Sequence, residues 1–337
     1  MAETTGAKPT VVITNKPFAE TVSYLEAHCR VVANDDVEPW SRTELIHHLE
    51  GARAMMAFMP DTVDGALLDA CPDLAVISCA LKGYDNFDLD ACRERGVIVT
   101  FVPDLLTAPT AELAVGLTIG LARNVRAGDA YIRKHGFHGW RAHLYGKGLD
   151  GSTVGLLGAG AVGAATAERL QGFGCRLLYV DSRPLGPGEE RRLNMTEVDI
   201  DALYADSDII IVCLPLTAKT RHMVDARAIG RMKPGAHLVN ISRGSVVDEA
   251  AVAAALESGH LAGYAADVFE LEDWALAGRP REVDPRLLEP GAPTLFTPHI
   301  GSGVTQVRME IERQAADNIL HFLSGEIPDE AMAKAVG

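Results

Sequence analysis

The feature that most constrains the fold is a glycine pattern near the middle of the chain. Residues 153–157 form a short apolar run, TVGLL, which leads directly into Gly158-Ala-Gly160-Ala-Val-Gly163. Residues 164–170, which follow, are mostly good helix formers. The order predicts a buried β-strand, a tight turn and an α-helix.

The three glycines of this turn have separate tasks if the turn binds a dinucleotide. Gly158 permits the tight turn, Gly160 lets the backbone approach a pyrophosphate, and Gly163 lets the helix pack closely on the strand. Ala161 and Val162 open the helix, where free N–H groups and the helix dipole favour phosphate. The pattern alone fits a plain tight turn equally well, so its context decides.

The context is a second predicted strand at 177–180, which ends in Asp181, eighteen residues after Gly163. A carboxylate at this position accepts both ribose hydroxyls of NAD and repels the 2′-phosphate of NADP. Arg183 would soften that preference if its side chain turned inward. The sequence therefore predicts NAD as the cofactor, with NADP as a weaker alternative.

Length and charge limit the class of protein. A chain of 337 residues exceeds one ordinary core and predicts two domains. The formal net charge of −15 argues against direct nucleic-acid binding, since the phosphate backbone needs a basic surface. The same charge means that an anionic substrate must be attracted by a local group of cations.

The cysteines and the N-terminus predict a cytoplasmic location. The six cysteines are scattered, with neither a CxxC pair nor metal-ligand spacing, which predicts buried free thiols and no metal site. We find neither a signal-peptide pattern nor an apolar run long enough to span a bilayer.

Strands and helices alternate along the chain, which predicts parallel α/β sheets. The first hundred residues contain a complete α/β unit without a phosphate turn, and six further strands are predicted between 154 and 297. A long helix at about 303–323 has no strands of its own to pack on, so we expect it to return to the first domain. The predicted domains are 1–106 with 301–337, and 107–300.

The segment between the two α/β units is predicted to be a long helix at 109–123 that is apolar nearly all round and therefore buried. A core helix between domains and a subunit interface remain equally open for it. Residues 135–148, rich in Gly, His and aromatics, predict an irregular loop that reaches over a neighbour.

Polar residues at the ends of predicted strands are the candidates for chemistry, because open α/β sheets bind ligands there. Arg243, which precedes a glycine, has a planar guanidinium that can donate two parallel hydrogen bonds to an oxyanion. His299 becomes a catalytic base if a carboxylate, either Glu270 or Glu272, fixes its tautomer. Lys82 would add a second cation. Each of these residues, taken alone, also fits an ordinary structural or surface role.

Four motifs together resemble the D-isomer-specific 2-hydroxyacid dehydrogenases. They are Gly158-x-Gly-x-x-Gly, Asn240-x-x-Arg243-Gly-x-x-Val-Asp, Asp267-Val-Phe-Glu-x-Glu272 and Pro298-His299-x-Gly. The resemblance implies a Rossmann NAD domain inserted into a discontinuous flavodoxin-like substrate domain, both doubly wound parallel sheets, and a homodimer.

The same resemblance implies the roles of individual residues. The catalytic set falls on Arg243, Glu272 and His299. Beyond the glycine turn and Asp181, the implied cofactor contacts are Cys213, Leu214, Pro215, Ile241, Ser242, Asp267, His299 and Gly301.

Residues 55–61, 81–87, 101–107 and 270–274 resemble the phosphite (phosphonate) dehydrogenase subgroup, and Lys82 and Asp273-Trp274 depart from the general family. This implies oxidation of phosphite to phosphate, with NAD accepting the hydride and His299 taking a proton from water; Arg243 as the base is the minority alternative. The implied substrate contacts are Lys82, Gly83, Arg243, Met59 and Ser302, and Trp140 and Tyr145 would line or gate the site.

Two other functions remain open. A D-2-hydroxyacid dehydrogenase acting on lactate, glycerate or glyoxylate would need only Arg243 and backbone N–H groups to hold a carboxylate. A non-enzymatic NADH-sensing scaffold can retain the same motifs. Lys82 is the residue that favours phosphite over the D-2-hydroxyacid dehydrogenase alternative.

Overall fold

The structure is a computed structural model that describes residues 8–328 and 331–333. These residues divide into two compact units. The second unit is Thr107–Gly303, and the first unit contains the described residues up to Leu106 and from Val304 onward. Gly301, Ser302 and Gly303 fall in the second unit, whereas the sequence analysis placed them in the first domain. Residues 1–7, 329–330 and 334–337 of the predicted first domain lie outside the described residues.

The first unit is a sheet of five parallel strands with an added antiparallel edge strand, in the order β13-β5-β4-β3-β1-β2. Its elements are β1 (Thr10–Ile13), α1 (Ala19–Glu26), β2 (Arg30–Ala33), α2 (Arg42–Leu49), β3 (Ala54–Ala57), α3 (Gly65–Ala70), β4 (Val76–Cys79), α4 (Leu89–Glu94), β5 (Ile98–Thr100), α13 (Thr305–Leu323) and β13 (Ala331–Ala333).

Both faces of this sheet are covered by helices. Successive side chains point to opposite faces of a strand, so Val12 and Met55 pack with α2, α3 and α4, whereas Val11 and Met56 pack with α1 and α13. The hydroxyl of Ser78 donates a buried hydrogen bond to the carbonyl of Ala315, 2.8 Å away, which ties α13 to β4.

The second unit is a seven-stranded sheet, in the order β12-β11-β10-β9-β6-β7-β8, and every pair is parallel. Its elements are α5 (Thr107–Ala122), α6 (Val125–His135), β6 (Thr153–Leu157), α7 (Ala161–Leu170), β7 (Arg176–Val180), α8 (Pro187–Leu193), β8 (Met195–Glu197), α9 (Ile200–Asp206), β9 (Ile209–Val212), α10 (Ala226–Ile229), β10 (Ala236–Asn240), α11 (Glu249–Glu257), β11 (Leu261–Ala266), α12 (Pro285–Leu288) and β12 (Thr294–Phe296).

The predicted fold class, two doubly wound α/β sheets, is confirmed. The strand order of the second unit reverses between β6 and β9, which creates the switch point where such sheets bind ligands. Two short strands were not predicted. β8 has only three residues, of which two are exposed, and β13 lies beyond the helix at which the predicted fold ended.

Helix starts in both units follow from local sequence. Five helices begin after an aspartate whose carboxylate accepts a hydrogen bond from a backbone N–H three residues later, which satisfies one of the free donors of the first turn. These N-cap residues are Asp64, Asp88, Asp199, Asp225 and Asp248.

Helix α5 is a core helix of the second unit. Ala114, Leu117 and Leu121 are buried with residues of β6, β10 and β11. A methyl group at Gly120 would lie 2.7 Å from Leu295 of β12, so the glycine permits close packing of helix on sheet. Among the described residues, none of the helices is long and apolar enough to cross a membrane.

Candidate active site

The glycine turn after β6 has the geometry that a phosphate-binding turn requires. Gly158 has φ +101°, and a side chain there would lie 2.8 Å from the carbonyl oxygen of Cys213. A methyl group at Gly163 would overlap the carbonyl oxygen of Gly158. Space is open above Gly160, where an added Cβ would have no neighbour within 4 Å. The backbone is therefore accessible just where α7 begins with its free N–H groups.

Asp181 lies directly after β7, beside this turn. Its Oδ2 accepts a hydrogen bond from the backbone N–H of Ala159 at 2.8 Å, and its Oδ1 accepts one from the backbone N–H of Arg183 at 2.9 Å. These bonds hold the carboxylate beside the open glycine turn, with lone pairs remaining on both oxygens. The turn and the acid together fit the pyrophosphate and ribose of a dinucleotide.

The other predicted cofactor contacts all follow strands of the same sheet at its carboxyl edge. Cys213, Leu214 and Pro215 follow β9; Ile241 and Ser242 follow β10; Asp267 follows β11; His299 and Gly301 follow β12.

Burial raises the pKa of the Cys213 thiol to about 12, so the thiol stays protonated. All six cysteines are free, and five are buried.

Arg243 is presented by a turn that its neighbours hold rigidly. The side chain of Asn240, fully buried at the end of β10, donates to the carbonyl of Arg243 at 2.9 Å and accepts from the backbone N–H of Ser242 at 3.1 Å. At Gly244, a Cβ would overlap the backbone of Phe269. The turn carrying Arg243 therefore packs directly on the turn after β11.

His299 and Glu272 form a hydrogen-bonded pair. The Nδ1 atom of His299 lies 2.6 Å from Oε2 of Glu272, and their side chains are 23% and 25% exposed. The other carboxylate oxygen of Glu272 accepts the backbone N–H of Phe269 at 2.9 Å. This arrangement directs Nε2, the second ring nitrogen of His299, away from the glutamate.

The backbone of His299 is in a left-handed conformation, with φ +55°. Few non-glycine residues adopt it, and functional sites are where such conformations concentrate. Its backbone N–H donates to the carbonyls of Asp267, at 2.8 Å, and Thr297, at 3.1 Å. The surrounding structure thus imposes the turn that presents the imidazole.

Asp267, predicted as a cofactor contact, holds that turn through its side chain. Its Oδ1 accepts from the Thr297 hydroxyl at 2.6 Å and the backbone N–H of Ile300 at 2.8 Å, and its Oδ2 accepts from the N–H of Gly301 at 2.8 Å. Burial raises the pKa of Asp267, although these hydrogen bonds favour its charged form. The described hydrogen bonds of this carboxylate all position the His299 turn.

Glu270, the other candidate partner for His299, points elsewhere. Its Oε2 lies 2.7 Å from Nε2 of His222, and its Oε1 accepts the backbone N–H of Glu249 at 3.0 Å. Our sequence analysis missed His222 and Glu249. The capping position of Asp248 predicts where α11 starts, but no local pattern shows that Glu249 is buried.

The predicted substrate residues of the first unit lie at the carboxyl edge of its sheet. The Nζ atom of Lys82, three residues after β4, is paired with Asp104 at 3.1 Å. Met59 is partly buried against the core of this unit, and Gly83 is half-buried.

Arg308, not singled out from the sequence, is a second cation at that edge. Its guanidinium donates to the carbonyl of Ala80 at 3.1 Å and lies 5.8 Å from the ring centroid of Phe58. Burial lowers the pKa of Arg308. Arg308 lies in the first turn of α13, and only the tertiary fold brings it to β4.

The remaining predicted substrate contacts belong to the second unit. Ser302 is half-buried just after the His299 turn. Trp140 and Tyr145 are 76% and 74% exposed, on an irregular loop that follows α6. A gating role for these two residues stays a prediction.

The second unit defines the class of the protein. It combines a parallel sheet with a switch point, an open glycine turn at a helix N-terminus and an acid after the neighbouring strand. These features define a Rossmann-type dinucleotide-binding protein. Residues 115–301 match the family model described as the D-isomer specific 2-hydroxyacid dehydrogenase, NAD binding domain. The chain belongs to the D-isomer-specific 2-hydroxyacid dehydrogenase family, and its second unit is the NAD-binding domain.

Known relatives match along nearly the whole chain. A protein of Thermofilum pendens named glyoxylate reductase is 34% identical over 98% of this chain and 96% of its own length. Another of that name, from Thermococcus litoralis, is 34% identical over 98% of each chain. The crystal structure of a glyoxylate reductase from Paecilomyes thermophila has a TM-score of 0.81 and 26% identity, and the match covers 97% of this chain and 98% of that one.

Proposed function

We propose that the protein interconverts a small 2-oxo acid and its D-2-hydroxy acid with NADH and NAD as the redox pair, and that glyoxylate is among its substrates. The observation that carries the proposal is the pair of His299 and Glu272, 2.6 Å apart at the carboxyl edge of the NAD-binding sheet. The names of the relatives support the substrate class, because each of the three is called a glyoxylate reductase.

In this proposal His299 is the acid–base group. Nε2 gives a proton to the carbonyl oxygen as the 2-oxo acid is reduced, and takes it back in the reverse direction. Glu272, bound at Nδ1, fixes the ring orientation and stabilises the imidazolium. When bound, the nicotinamide supplies or accepts the hydride.

The proposed role of Arg243 is to bind and orient the substrate. Its planar guanidinium can hold a carboxylate through two parallel hydrogen bonds. The Asn240 hydrogen bonds hold the backbone of the turn that carries it, and Nη1 of Arg243 donates to the carbonyl of Ser242 at 2.9 Å, so both the turn and the guanidinium are partly ordered before binding.

Cofactor choice follows from Asp181. We propose NAD in preference to NADP because the carboxylate lies where the ribose hydroxyls of the adenosine moiety bind, and a 2′-phosphate there would meet a negative charge. The side chain of Arg183 is the feature that would soften this preference.

Phosphite is the second candidate substrate. It is favoured by Lys82 and Arg308, two cations at one edge of the first unit, which suit a small anion that carries its charge on several oxygens. In that reaction His299 would take a proton from the water that adds to phosphorus while the hydride leaves phosphorus for the nicotinamide. The pairing of Lys82 with Asp104 offsets part of its charge and weakens this candidate relative to a 2-oxo acid.

The test is to follow NADH at 340 nm, a wavelength at which only the reduced cofactor absorbs. Glyoxylate is supplied with NADH, whereas D-lactate, D-glycerate and phosphite are each supplied with NAD. Turnover of at least one organic acid, with none of phosphite, is the expected result. Turnover of phosphite alone would reverse the order of the two candidates. Tight NADH binding without any turnover would support the NADH-sensing scaffold.

We also propose that the protein is a homodimer. The helix α6 and the loop after it expose several large apolar side chains within one segment of the chain, and grouped apolar side chains on a surface are typical of protein–protein contacts. These are Val125, Tyr131, Ile132, Phe137, Trp140, Leu144 and Tyr145. Light scattering coupled to size exclusion should give twice the mass of the chain, and Ile132→Glu should shift the protein toward monomer. A monomeric wild-type protein at micromolar concentration would contradict this proposal.

A further inference from the structure

The turn that carries Arg243 and the turn that carries Glu272 are joined by buried carboxylates. The backbone N–H of Ser245, two residues after Arg243, donates to Oδ2 of Asp273 at 2.7 Å. Asp273, which follows Glu272, is only 5% exposed. A buried N–H or carboxylate that lacks its hydrogen-bond partner destabilises the folded state, so this hydrogen bond constrains both turns.

Two glutamates make a second and reciprocal link. Oε1 of Glu249 accepts the backbone N–H of Glu270 at 2.7 Å, and Oε1 of Glu270 accepts the backbone N–H of Glu249 at 3.0 Å. The two residues are 3% and 7% exposed. The first residue of α11 and the first residue of the 3₁₀ turn Glu270–Glu272 are thereby fixed to each other.

His222 closes this arrangement. Its Nε2 lies 2.7 Å from Oε2 of Glu270, and its backbone N–H donates to the carbonyl of Ser245 at 2.7 Å. His222 has φ +48°, so it is a second histidine held in the left-handed region. Its side chain is 36% exposed, which makes it the accessible member of the group.

We propose that Glu249, Glu270 and His222 form a clamp that sets the position of Arg243 relative to Glu272, and through Glu272 the position of His299. They are positioning residues: the clamp acts on the two turns and takes no part in proton transfer. This inference rests on the proposed function, since it assigns the clamp to the arginine and the His299–Glu272 pair of that reaction.

The position of the two glutamates along the chain explains how the clamp acts. Glu270 lies two residues before Glu272 in one 3₁₀ turn. Its side chain bonds within the clamp, whereas that of Glu272 bonds to His299. Rotating or shifting this turn would therefore move the partner of His299. A misplacement of about 1 Å at a catalytic group can lower the rate roughly 100-fold.

The clamp depends on acceptor oxygens more than on charge. Burial, together with the neighbouring carboxylates Glu270, Glu272 and Asp284, raises the pKa of Glu249 to about 7, although the hydrogen bond from the backbone N–H of Glu270 favours the charged form. The Oε1 atom of Glu249 accepts the N–H of Glu270 whether or not the carboxyl group is ionised. A glutamine at this position keeps the acceptor and removes the charge, so it distinguishes the two contributions.

The central experiment compares Glu249→Ala with Glu249→Gln in the full chain. Glu249→Ala should lower kcat for the best substrate roughly 10- to 100-fold and leave the KM for NADH unchanged. Glu249→Gln should restore kcat to within about threefold of the wild type, since the hydrogen bond is retained. Glu257→Ala is the matched control, because Glu257 lies on the same helix but is exposed and pairs only with Arg286 among its described contacts.

His222→Ala is the second variant, and it protects the test against misfolding of Glu249→Ala. Because His222 is half-exposed, its loss should be tolerated by the fold while kcat falls and the KM for NADH stays constant. Wild-type kcat in both alanine variants would overturn the proposal. A Glu249→Gln variant as slow as Glu249→Ala would also overturn it, because the acceptor oxygen would not be what matters.

Amide hydrogen exchange separates failure of the clamp from failure of the proposed function. In Glu249→Ala the amide of Glu270 should lose protection, and in Glu249→Gln it should keep it. This readout needs no turnover. If the wild type turns over none of the candidate substrates, the proposed function fails, and the exchange pattern still decides whether the clamp exists. Unchanged protection of the Glu270 amide in Glu249→Ala would refute the clamp.

Discussion

Oε2 of Glu272 lies 2.6 Å from Nδ1 of His299, while Oε1 of the same carboxylate accepts the backbone N–H of Phe269 at 2.9 Å. The two oxygens are thus committed to different partners. A carboxylate is the one side-chain group that can accept hydrogen bonds at both positions without a proton of its own. This division of tasks makes the glutamine variant informative.

Glu272→Gln should lower kcat roughly 100- to 10,000-fold, the range typical for loss of acid–base function. The N–H of Phe269 selects the amide oxygen, so the amide NH2 group faces Nδ1 of His299. Nδ1 must then accept, which holds the ring as the neutral Nε2–H tautomer. In the oxidation direction Nε2 cannot then take a proton, and in the reduction direction the imidazolium that donates the proton is no longer stabilised by a carboxylate. Steady-state kinetics of the purified variant measures the effect.

The control for that variant is Glu282→Gln, which changes an exposed glutamate of the same unit. Its kcat should equal that of the wild type. Comparable rates for Glu272→Gln and the wild type would remove the His299–Glu272 pair from the chemistry.

Gly160→Ala and Gly163→Ala should affect different properties: the first should weaken NADH binding, and the second should destabilise the fold. A methyl group at Gly160 meets nothing within 4 Å, so the fold should keep its stability while the KM for NADH rises, because the methyl group takes the space that a pyrophosphate needs. A methyl group at Gly163 would overlap the carbonyl oxygen of Gly158, and overpacking of this kind costs about 1–3 kcal/mol of folding free energy.

Thermal unfolding and the KM for NADH of the two variants decide this prediction. Similar losses of stability in both would mean that the space above Gly160 is not open in solution. An unchanged KM in Gly160→Ala would place the pyrophosphate elsewhere.

Asp181→Ala should raise the ratio of kcat/KM for NADPH to that for NADH by roughly tenfold or more, equivalent to about 1.4 kcal/mol. The change removes the negative charge that would face a 2′-phosphate and the acceptor for the ribose hydroxyls. Asp206→Ala is the control, since Asp206 is an exposed partner of Arg176. A wild-type enzyme that already prefers NADPH would contradict the assignment of Asp181.

The sequence predicted the features that depend on neighbouring residues. The glycine turn, the acid after the second strand and the alternation of strands and helices are local patterns, and the structure has all three. It also allowed two glutamates, Glu270 and Glu272, as the partner of His299. The choice between them depends on how the 3₁₀ turn rotates, which is set by Glu249 and His222.

What the sequence could not predict depends on long-range packing. Arg308 and Ala80 are 228 residues apart along the chain. The Arg308 guanidinium reaches the Ala80 carbonyl only because α13 packs on the sheet of the first unit. The second role of Asp267, holding the His299 turn, requires the register of β11 and β12. Strand β8 is too short and too polar to show a strand pattern.

Lys82→Ala tests which substrate the first unit favours. If phosphite is a substrate, its KM should rise sharply, by roughly 10-fold or more, because a hydrogen bond to a charged group contributes about 1.5–3 kcal/mol. The KM for glyoxylate should change less, since Arg243 holds a carboxylate by itself. The measurement is initial rate against substrate concentration for both substrates.

The control for the lysine variant is Asp104→Asn, which removes the described partner of Lys82 and leaves the cation in place. It should lower the KM for phosphite or leave it unchanged. Equal KM values for wild type and Lys82→Ala with every substrate would remove Lys82 from the site.

Asp208 supports the amino-terminal edge of the NAD-binding sheet and predicts a pH dependence of stability. Burial alone would raise its pKa, but hydrogen bonds from Lys147, the backbone N–H of Thr153 and Lys233 outweigh burial and lower the pKa to about 2. A carboxyl group whose pKa is lowered by folding stabilises the protein above its unfolded pKa, and the contribution is lost as the pH falls through the folded value.

Asp208→Asn should therefore reduce the free energy of unfolding by about 2 kcal/mol at pH 7. The difference from the wild type should shrink between about pH 4 and pH 2, where the native carboxylate becomes protonated. Urea unfolding across this pH range measures both values. Asp206→Asn, whose ion pair with Arg176 is exposed, should cost less than about 1 kcal/mol at any pH. A pH-independent difference for Asp208→Asn would show that its hydrogen bonds stabilise the sheet without regard to its charge.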